Sequence, residues 1–317
     1  MQLTEIFMVV GFALAAFSVV SNDSIQTLGT FLAANARRAW WQLWMFASGI
    51  LVIVLWYGWL MNNGDPSYGR LNKFPEPSGG VSWLHVMAPF VLLILTRFGI
   101  PVSTTFLVLS VFAPQNITSM LLKSASGYLV AFVVAFLLYI LIRRVVQYLM
   151  ETSNEEAPTY WYVIQWGSTA FLWSQWLIQD LANIFVFLPR DLSIGWITFG
   201  TVLLVLMQGV IFYQAGGRIQ QIVTSKANVN DIRSAAIINF IYGLILLVFK
   251  EWSDMPMSTT WVFLGLLAGR EIAISLQIKE RTVGHAAVLI GKDAAKAGAG
   301  LVVSVALAGA AIWLGIG

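Results

Sequence analysis

Pro101-Val102-Ser103-Thr104-Thr105 is the stretch that decides the fold, because the chain repeats it as Pro256-Met257-Ser258-Thr259-Thr260. Each copy lies in an apolar segment, where three consecutive hydroxyls are costly unless they are hydrogen-bonded or bind a ligand. Proline lacks a backbone N–H and disfavours helical geometry in the residue before it, so one helix should end before each triplet and another should begin after it. Helix starts attract anions, and in a membrane protein a duplicated pair of them is typical of a solute site between two related halves.

The composition excludes a soluble globular domain. Of the 317 residues, 58% are hydrophobic, only 10% are charged and fourteen are tryptophan, whereas soluble domains carry roughly 25% charged residues. We therefore expect an all-α polytopic protein of the cell membrane, whose surroundings are the lipid bilayer. The net charge is +3, and we interpret the basic residues of the short loops as orientation signals and not as a nucleic-acid surface.

Two landmarks recur at nearly the same offset. Asp180 follows Asp23 by 157 positions, and Ser258 follows Ser103 by 155 positions, which indicates an internal duplication. A stretch in the second half, 271–296, has no counterpart in the first. The predicted units are a first transmembrane repeat, a short hydrophilic linker and a second transmembrane repeat, at 1–150, 151–159 and 160–317.

Each repeat is predicted to contain a broken helix at its aspartate and a re-entrant helical hairpin at its hydroxyl triplet. Three crossings and a hairpin per half give the two halves inverted topology, and the amino terminus is predicted to lie outside. The positive-inside rule favours this orientation. The basic residues expected inside are Arg37, Arg38, Arg143, Arg144, Arg218, Lys226, Arg233, Lys279 and Arg281. Those expected outside are Arg70, Lys73, Lys123 and Arg190.

Two carboxylates stand within helical runs at matching places of the two halves, at Asp23 and Asp180. An ionised side chain at the bilayer centre costs at least a few kcal/mol, so such residues usually have a function. Amides flank both of them, and carboxylate and amide oxygens suit a hard cation such as sodium. Either carboxylate could instead carry a proton, or cap the broken helix by accepting from free amides. The predicted cation-binding residues are Asp23, Asn22, Gln26, Asp180, Asn183 and Gln179.

The hydroxyl triplets are the candidate anion site. The alternative interpretation is that they cap helices and make ordinary hydrogen bonds between helices. Arg97 lies six residues before Ser103 in an apolar context and could face an anion, although such an arginine more often extends to the membrane interface. The predicted substrate-binding residues are Ser103, Thr104, Thr105, Ser258, Thr259, Thr260, Asp23, Asp180 and Arg97.

These motifs resemble those of the inorganic phosphate transporter (PiT) family. Ser21–Thr30 is similar to the family's GANDVANAxGT signature, and Gln179–Asn183 looks like its second copy. Thr96–Thr105 resembles the GxPVSTTH segment, and Met255–Thr260 resembles the repeat of that segment. Gln214–Thr224 is similar to the family's loop in the second half. Four motif copies in the right order make the resemblance fairly specific.

The resemblance implies an inverted-repeat secondary transporter of phosphate that is driven by sodium or, in some members, by protons. A related branch carries sulfate. By the same resemblance, the aspartates, Asn22 and Asn183 would form the cation and anion centre, and the hydroxyl triplets would hold the anion. The chain departs from the family pattern where Phe106 and Trp261 replace histidine, and where Gln26 and Gln179 replace asparagine. These departures affect the substrate and the coupling ion more than the fold.

We therefore expect a symporter of inorganic phosphate coupled to a cation, with sodium as the first choice, working by alternating access around a midplane site. A proton-coupled sulfate permease is the alternative, and a passive anion channel is a further one. We expect no enzymatic activity and no cofactor beyond the coupling ion, sodium or a proton. A homodimer is possible, but no sequence feature identifies an interface.

Overall fold

A computed structural model describes residues 3–98, 100, 102–141, 157–216, 220, 232–277 and 283–315. Several residues named above lie outside this part, so their predicted positions are not described. They are Pro101, Arg143, Arg144, Arg218, Lys226, Lys279, Arg281 and most of the 151–159 linker.

The described residues are helical almost throughout and contain no β-strand. Seven of the helices, α1, α2, α4, α7, α8, α9 and α10, are long and apolar enough to cross a membrane. This confirms the predicted all-α polytopic membrane fold, whereas the inverted orientation of the halves stays a prediction. The helices are α1 Leu3–Ala34, α2 Trp40–Met61, α3 Trp83–Arg97, α4 Ile117–Leu141, α5 Thr159–Asp180, α6 Ala182–Phe185, α7 Ile194–Tyr213, α8 Ile232–Trp252, α9 Thr259–Gln277 and α10 Val283–Trp313.

The predicted break in the first helix is wrong, because α1 runs unbroken through Ser21–Ser24. The hydroxyl of Ser24 donates to the Val20 carbonyl, and that of Thr27 donates to the Asp23 carbonyl at 3.2 Å. Hydroxyl side chains can make such bonds one turn back without breaking the helix. A polar run inside an apolar helix therefore marked buried polar contacts here and not a helix end.

The matching helix of the second half is interrupted, as predicted, but only at Leu181. α5 ends at Asp180 and α6 begins at Ala182. α5 is long enough to cross a membrane at 22 residues, and its buried polar side chains include Gln165, Thr169 and Asp180. Polar side chains within a membrane helix normally face the protein interior, so α5 belongs at the centre of the bundle.

The helices that flank the two hydroxyl triplets differ in length. In the first half α3 has 15 residues, about 22 Å at 1.5 Å per residue. It is followed by a π-helical segment at Thr105–Leu109 and one helical turn at Ser110–Phe112. In the second half α8 and α9 have 21 and 19 residues. The short flanking helices of the first half favour a re-entrant hairpin there, whereas the long flanking helices of the second half do not. Both hairpins therefore stay predictions.

Helices of the two halves pack directly against one another. α4 of the first half contacts α9 of the second along Gly265 and Gly269. A Cβ at these glycines would lie 2.2 Å from the Tyr128 carbonyl oxygen and 2.1 Å from the Phe132 carbonyl oxygen. This small-xxx-small spacing lets two backbones approach closely, and it holds the helix that follows the second triplet against the first half.

The additional stretch 271–296 comprises the end of α9, residues outside the described part, and the start of α10.

A loop at residues 62–82 folds back onto the bundle between α2 and α3. Asp65 organises it by accepting from the Ser67 and Gly69 backbone N–H groups at 2.7 and 2.9 Å. Arg190 of the second half donates to the Phe74 carbonyl through Nε at 3.0 Å and Nη2 at 2.7 Å. The 62–82 loop is therefore tied to the segment that follows α6.

Candidate functional site

Asp23 lies at the centre of the bundle and is 1% exposed. Its Oδ2 accepts from the Thr104 hydroxyl, and its Oδ1 accepts from Asn22 Nδ2 at 2.8 Å and from the Thr260 hydroxyl at 3.4 Å. Asn22 Nδ2 also donates to the Val102 carbonyl at 3.2 Å. The first aspartate is therefore held by hydroxyls from both triplets.

Asp180 is also 1% exposed, and the charges of the two aspartates interact. Its Oδ1 accepts from Asn183 Nδ2 at 2.6 Å. The same Asn183 Nδ2 lies 3.4 Å from the Thr105 hydroxyl oxygen, and the Thr259 side chain lies beside Asp180. Asp23 and Asp180, which are 157 positions apart in the sequence, thus lie in one cluster with threonines of both triplets.

The threonines are used in the same way in both triplets. The second residue of each triplet contacts the aspartate of its own half, since Thr104 bonds to Asp23 and Thr259 lies beside Asp180. The third residue reaches the opposite half, since Thr260 bonds to Asp23 and Thr105 contacts Asn183. This exchange joins both halves at one site.

The serines of the triplets act mainly as helix caps. Ser103 Oγ accepts from the Phe106 N–H at 3.2 Å, and Ser258 Oγ accepts from the Trp261 N–H at 3.2 Å. In each case the serine side chain accepts from the backbone N–H three residues later, which is the hydrogen bond of a helix N-cap. The capping alternative therefore applies to the serines, whereas three of the four threonines, Thr104, Thr259 and Thr260, lie at the aspartates.

The two aromatic residues that follow the triplets contact each other. The ring centroids of Phe106 and Trp261 are 5.4 Å apart. These are the positions where histidine stands in the resembled family. An apolar contact that joins the two triplet segments has taken the place of two imidazoles.

Within the stretch 179–183, three buried oxygens have no donor among the described residues: Gln179 Oε1, Asp180 Oδ2 and Asn183 Oδ1. The Gln179 amide is held by its Nε2, which donates to the Leu246 carbonyl at 3.2 Å. Gln179 and Asn183 are four positions apart in the sequence, and residues with this spacing lie on the same side of a helix. Leaving a buried acceptor unsatisfied costs about 1–3 kcal/mol, and carboxylate and amide oxygens are ligands of hard cations. This group has the composition of a cation site.

The corresponding group of the first half is satisfied internally. Asn22 Oδ1 accepts from Gln26 Nε2 at 3.4 Å, and both carboxylate oxygens of Asp23 accept hydrogen bonds. The two halves are therefore not equivalent in this conformation.

Arg97 is the one predicted site residue that the structure leaves outside the cluster. It is the last residue of α3 and its side chain is exposed, whereas the other predicted substrate-binding and cation-binding residues are buried.

Three residues that support the second triplet were not predicted from the sequence. Ser124 Oγ accepts from the Ser258 N–H at 2.8 Å, and the Tyr242 hydroxyl donates to the Thr259 carbonyl at 2.9 Å. Lys123 is buried and donates to the carbonyls of the Ser253–Met255 segment. The available signal is the polar pair Lys123-Ser124 inside an apolar span, of which the sequence analysis used only Lys123, as a basic residue expected outside.

These features define a polytopic α-helical membrane protein with a buried polar site to which both halves of the chain contribute. Among solved structures, the chain is similar to one described as the sodium-dependent phosphate transporter, with a TM-score of 0.63 and 16% identity over 99% of both chains. No protein-family model matches the chain, and no curated protein matches it by sequence. The structural similarity shows that the chain has the fold of that transporter over its full length.

Proposed function

We propose that this protein is a symporter of inorganic phosphate coupled to a cation, with sodium as the coupling ion, and that it works by alternating access. The observation that carries the proposal is the buried cluster of two aspartates, three unpartnered oxygens and four threonine side chains contributed by both halves. The shared fold with a protein described as a sodium-dependent phosphate transporter supports it, and so does the motif resemblance.

The unpartnered oxygens of the second half are the proposed cation site. Gln179, Asp180 and Asn183 together supply one carboxylate oxygen and two amide oxygens. Sodium bound there offsets the negative charge of Asp180 in a low-dielectric interior, where an uncompensated charge is costly. The same group could carry a proton on Asp180, and the experiment below separates the two.

The threonine hydroxyls give a physical reason for coupling. A hydroxyl has one hydrogen to donate, and in this structure Thr104 and Thr260 donate theirs to Asp23. A second cation, bound at the Asp23 oxygens in addition to the one at Asp180, would take the place of these hydrogens, which then turn away from the carboxylate. The hydroxyls become donors for the oxygens of a tetrahedral anion, so a bound cation creates part of the anion site.

The two alternatives predict different behaviour. A proton-coupled sulfate permease would use the same fold with a changed site, and the Phe106–Trp261 contact in place of the family's histidines is the feature that favours it. A passive anion channel would conduct without coupling.

The test is uptake of radiolabelled phosphate by purified protein in proteoliposomes under an imposed sodium gradient, with and without excess unlabelled sulfate. The proposal predicts accumulation that requires sodium and that sulfate does not reduce. Sulfate entry under a proton gradient without phosphate uptake would favour the permease. Preloaded vesicles that show no counterflow would indicate a channel. The cell membrane as the location, the amino terminus outside and a homodimer stay predictions.

A further inference from the structure

Arg70 is a buried cation whose donors are largely unused. It begins the 3-10 helix Arg70–Lys73 of the 62–82 loop and is 1% exposed. Its Nη1 lies 3.5 Å from the Ser67 carbonyl oxygen, at the limit of a hydrogen bond. Its Nε and Nη2 have no partner in the described part of the chain. Burying unpaired donors of a charged group is costly, so these atoms indicate a missing ligand.

The missing ligand is not the nearest loop carboxylate. Both oxygens of Asp65 already accept hydrogen bonds within the loop, Oδ1 from the Ser67 N–H at 2.7 Å and Oδ2 from the Gly69 N–H at 2.9 Å. The loop is fixed further by the Tyr68 hydroxyl, which donates to the Val54 carbonyl at 2.7 Å. The position of Arg70 therefore follows from the folding of the loop and does not depend on an ion pair with Asp65.

Charged residues of the central site and of the segment before the second triplet lie within electrostatic range of Arg70. Burial lowers the pKa of the Arg70 guanidinium, while the carboxylates of Asp254 and Asp180 raise it, and arginine remains protonated in proteins. Lys123 is close enough for its charge to interact with that of Arg70. Lys123 donates to the carbonyls of Ser253 and Met255 at 2.5 and 2.7 Å. Two positive charges thus lie beside the chain that leads into the second triplet.

The unpartnered nitrogens of Arg70 have the right geometry to bind an oxyanion. Nε and Nη2 form one edge of the guanidinium, and two N–H groups on one edge bind two oxygens of a phosphate or carboxylate side by side. Asp180 Oδ2 is also unpartnered, so Arg70 and Asp180 do not satisfy each other although their charges interact.

We propose that Arg70 binds the transported oxyanion directly, through Nε and Nη2, at a position between the 62–82 loop and the second triplet. This inference rests on the proposed function and adds an anion-binding residue that lies outside the two motifs. Because Arg70 is buried, the anion reaches it only after the packing around the guanidinium opens.

The test compares Arg70→Gln and Arg70→Lys with Lys73→Gln, which removes a positive charge from an exposed position of the same short helix. Phosphate uptake is measured against phosphate concentration at saturating sodium, and against sodium concentration at saturating phosphate. Binding is measured by the shift that phosphate produces in the melting temperature of the purified protein.

We expect Arg70→Gln to raise the phosphate half-saturation concentration about 10- to 100-fold, the range for losing hydrogen bonds from a charged group. The sodium half-saturation concentration should not change. Arg70→Lys keeps the charge but loses the paired edge and should be intermediate, and Lys73→Gln should match the wild type.

A normal phosphate half-saturation in Arg70→Gln overturns the inference, and so does an equal loss of sodium and phosphate affinity, which indicates a purely structural role. If Arg70→Gln does not fold, Arg70→Lys decides, because a wild-type value there also overturns the inference. A wild-type protein that neither takes up phosphate nor is stabilised by it refutes the proposed function itself.

Discussion

Replacing Asp180 by asparagine should weaken sodium binding while leaving the fold intact. Asp180 accepts one hydrogen bond, from Asn183 to Oδ1, and its Oδ2 has no donor among the described residues. Asparagine retains an oxygen for the bond from Asn183 and places a neutral amide where the carboxylate oxygen was free. The substitution therefore changes the ligand of the cation and little else.

The magnitude follows from the charge that is lost. Two unit charges about 4 Å apart attract by about 4 kcal/mol at an effective dielectric constant near 20. About half of this is offset, because a neutral side chain does not have to be desolvated as an ion. The remaining ~2 kcal/mol corresponds to about a 30-fold rise in the sodium concentration for half-maximal uptake.

Asp23→Asn should behave differently, because Asp23 is already saturated with donors. It accepts from Asn22, Thr104 and Thr260, so an amide in place of either oxygen meets a donor and loses a charge-assisted bond. We expect a loss of about 2–4 kcal/mol in the free energy of unfolding, together with loss of transport.

The assay pairs sodium-dependent phosphate uptake in proteoliposomes with thermal unfolding of the purified variants, and Asp191→Asn serves as an exposed control. Wild-type sodium dependence in Asp180→Asn would contradict the assigned cation site. Unchanged melting of Asp23→Asn beside strong destabilisation of Asp180→Asn would show that the two roles are reversed.

Two further substitutions test the cluster and the packing beneath it. Thr104→Val removes the hydroxyl that donates a hydrogen bond to Asp23 and should raise the phosphate half-saturation concentration about 10-fold. Thr104→Ser keeps a hydroxyl and should restore uptake. Failure of that rescue would contradict a role of the hydroxyl. Gly265→Ala brings a Cβ to 2.2 Å from the Tyr128 carbonyl oxygen and should lower stability by about 1–3 kcal/mol, as overpacking does. Thermal unfolding checks this against Gly167→Ala, where nothing lies within 4 Å, and equal melting of the two variants would refute the close approach.

Much of the fold and of the site could be predicted because the determinants are local. Apolar runs of sufficient length specify the membrane helices, and the duplicated aspartates and triplets specify which residues meet. The break predicted at Asp23 failed because a sequence does not show whether a hydroxyl bonds to the turn before it, as Ser24 and Thr27 do.

Arg70 could not be identified from the sequence for a related reason. It lies in a loop with Gly64, Asp65-Pro66 and Gly69, and such a loop normally faces solvent. Its burial requires the loop to pack on distant parts of the chain, and the contacts from Arg190 to the Phe74 carbonyl are among those that hold the loop there. Arg97 was the better sequence candidate because of its apolar context, but α3 ends there and leaves it exposed.

The atoms of this site that lack hydrogen-bond partners include both acceptors and donors, and this explains why binding of the cation and binding of the oxyanion should depend on each other. Among the described residues, Gln179 Oε1, Asp180 Oδ2 and Asn183 Oδ1 are acceptors without a donor, and Arg70 Nε and Nη2 are donors without an acceptor. A direct ion pair between Arg70 and Asp180 would satisfy atoms of both kinds, yet the fold holds them apart. A cation among the acceptors and an oxyanion on the donors satisfy both sets and keep the buried charge low. Either ion alone would leave one set unpaired in a low-dielectric interior, and this mutual dependence is the energetic basis of the coupling we propose.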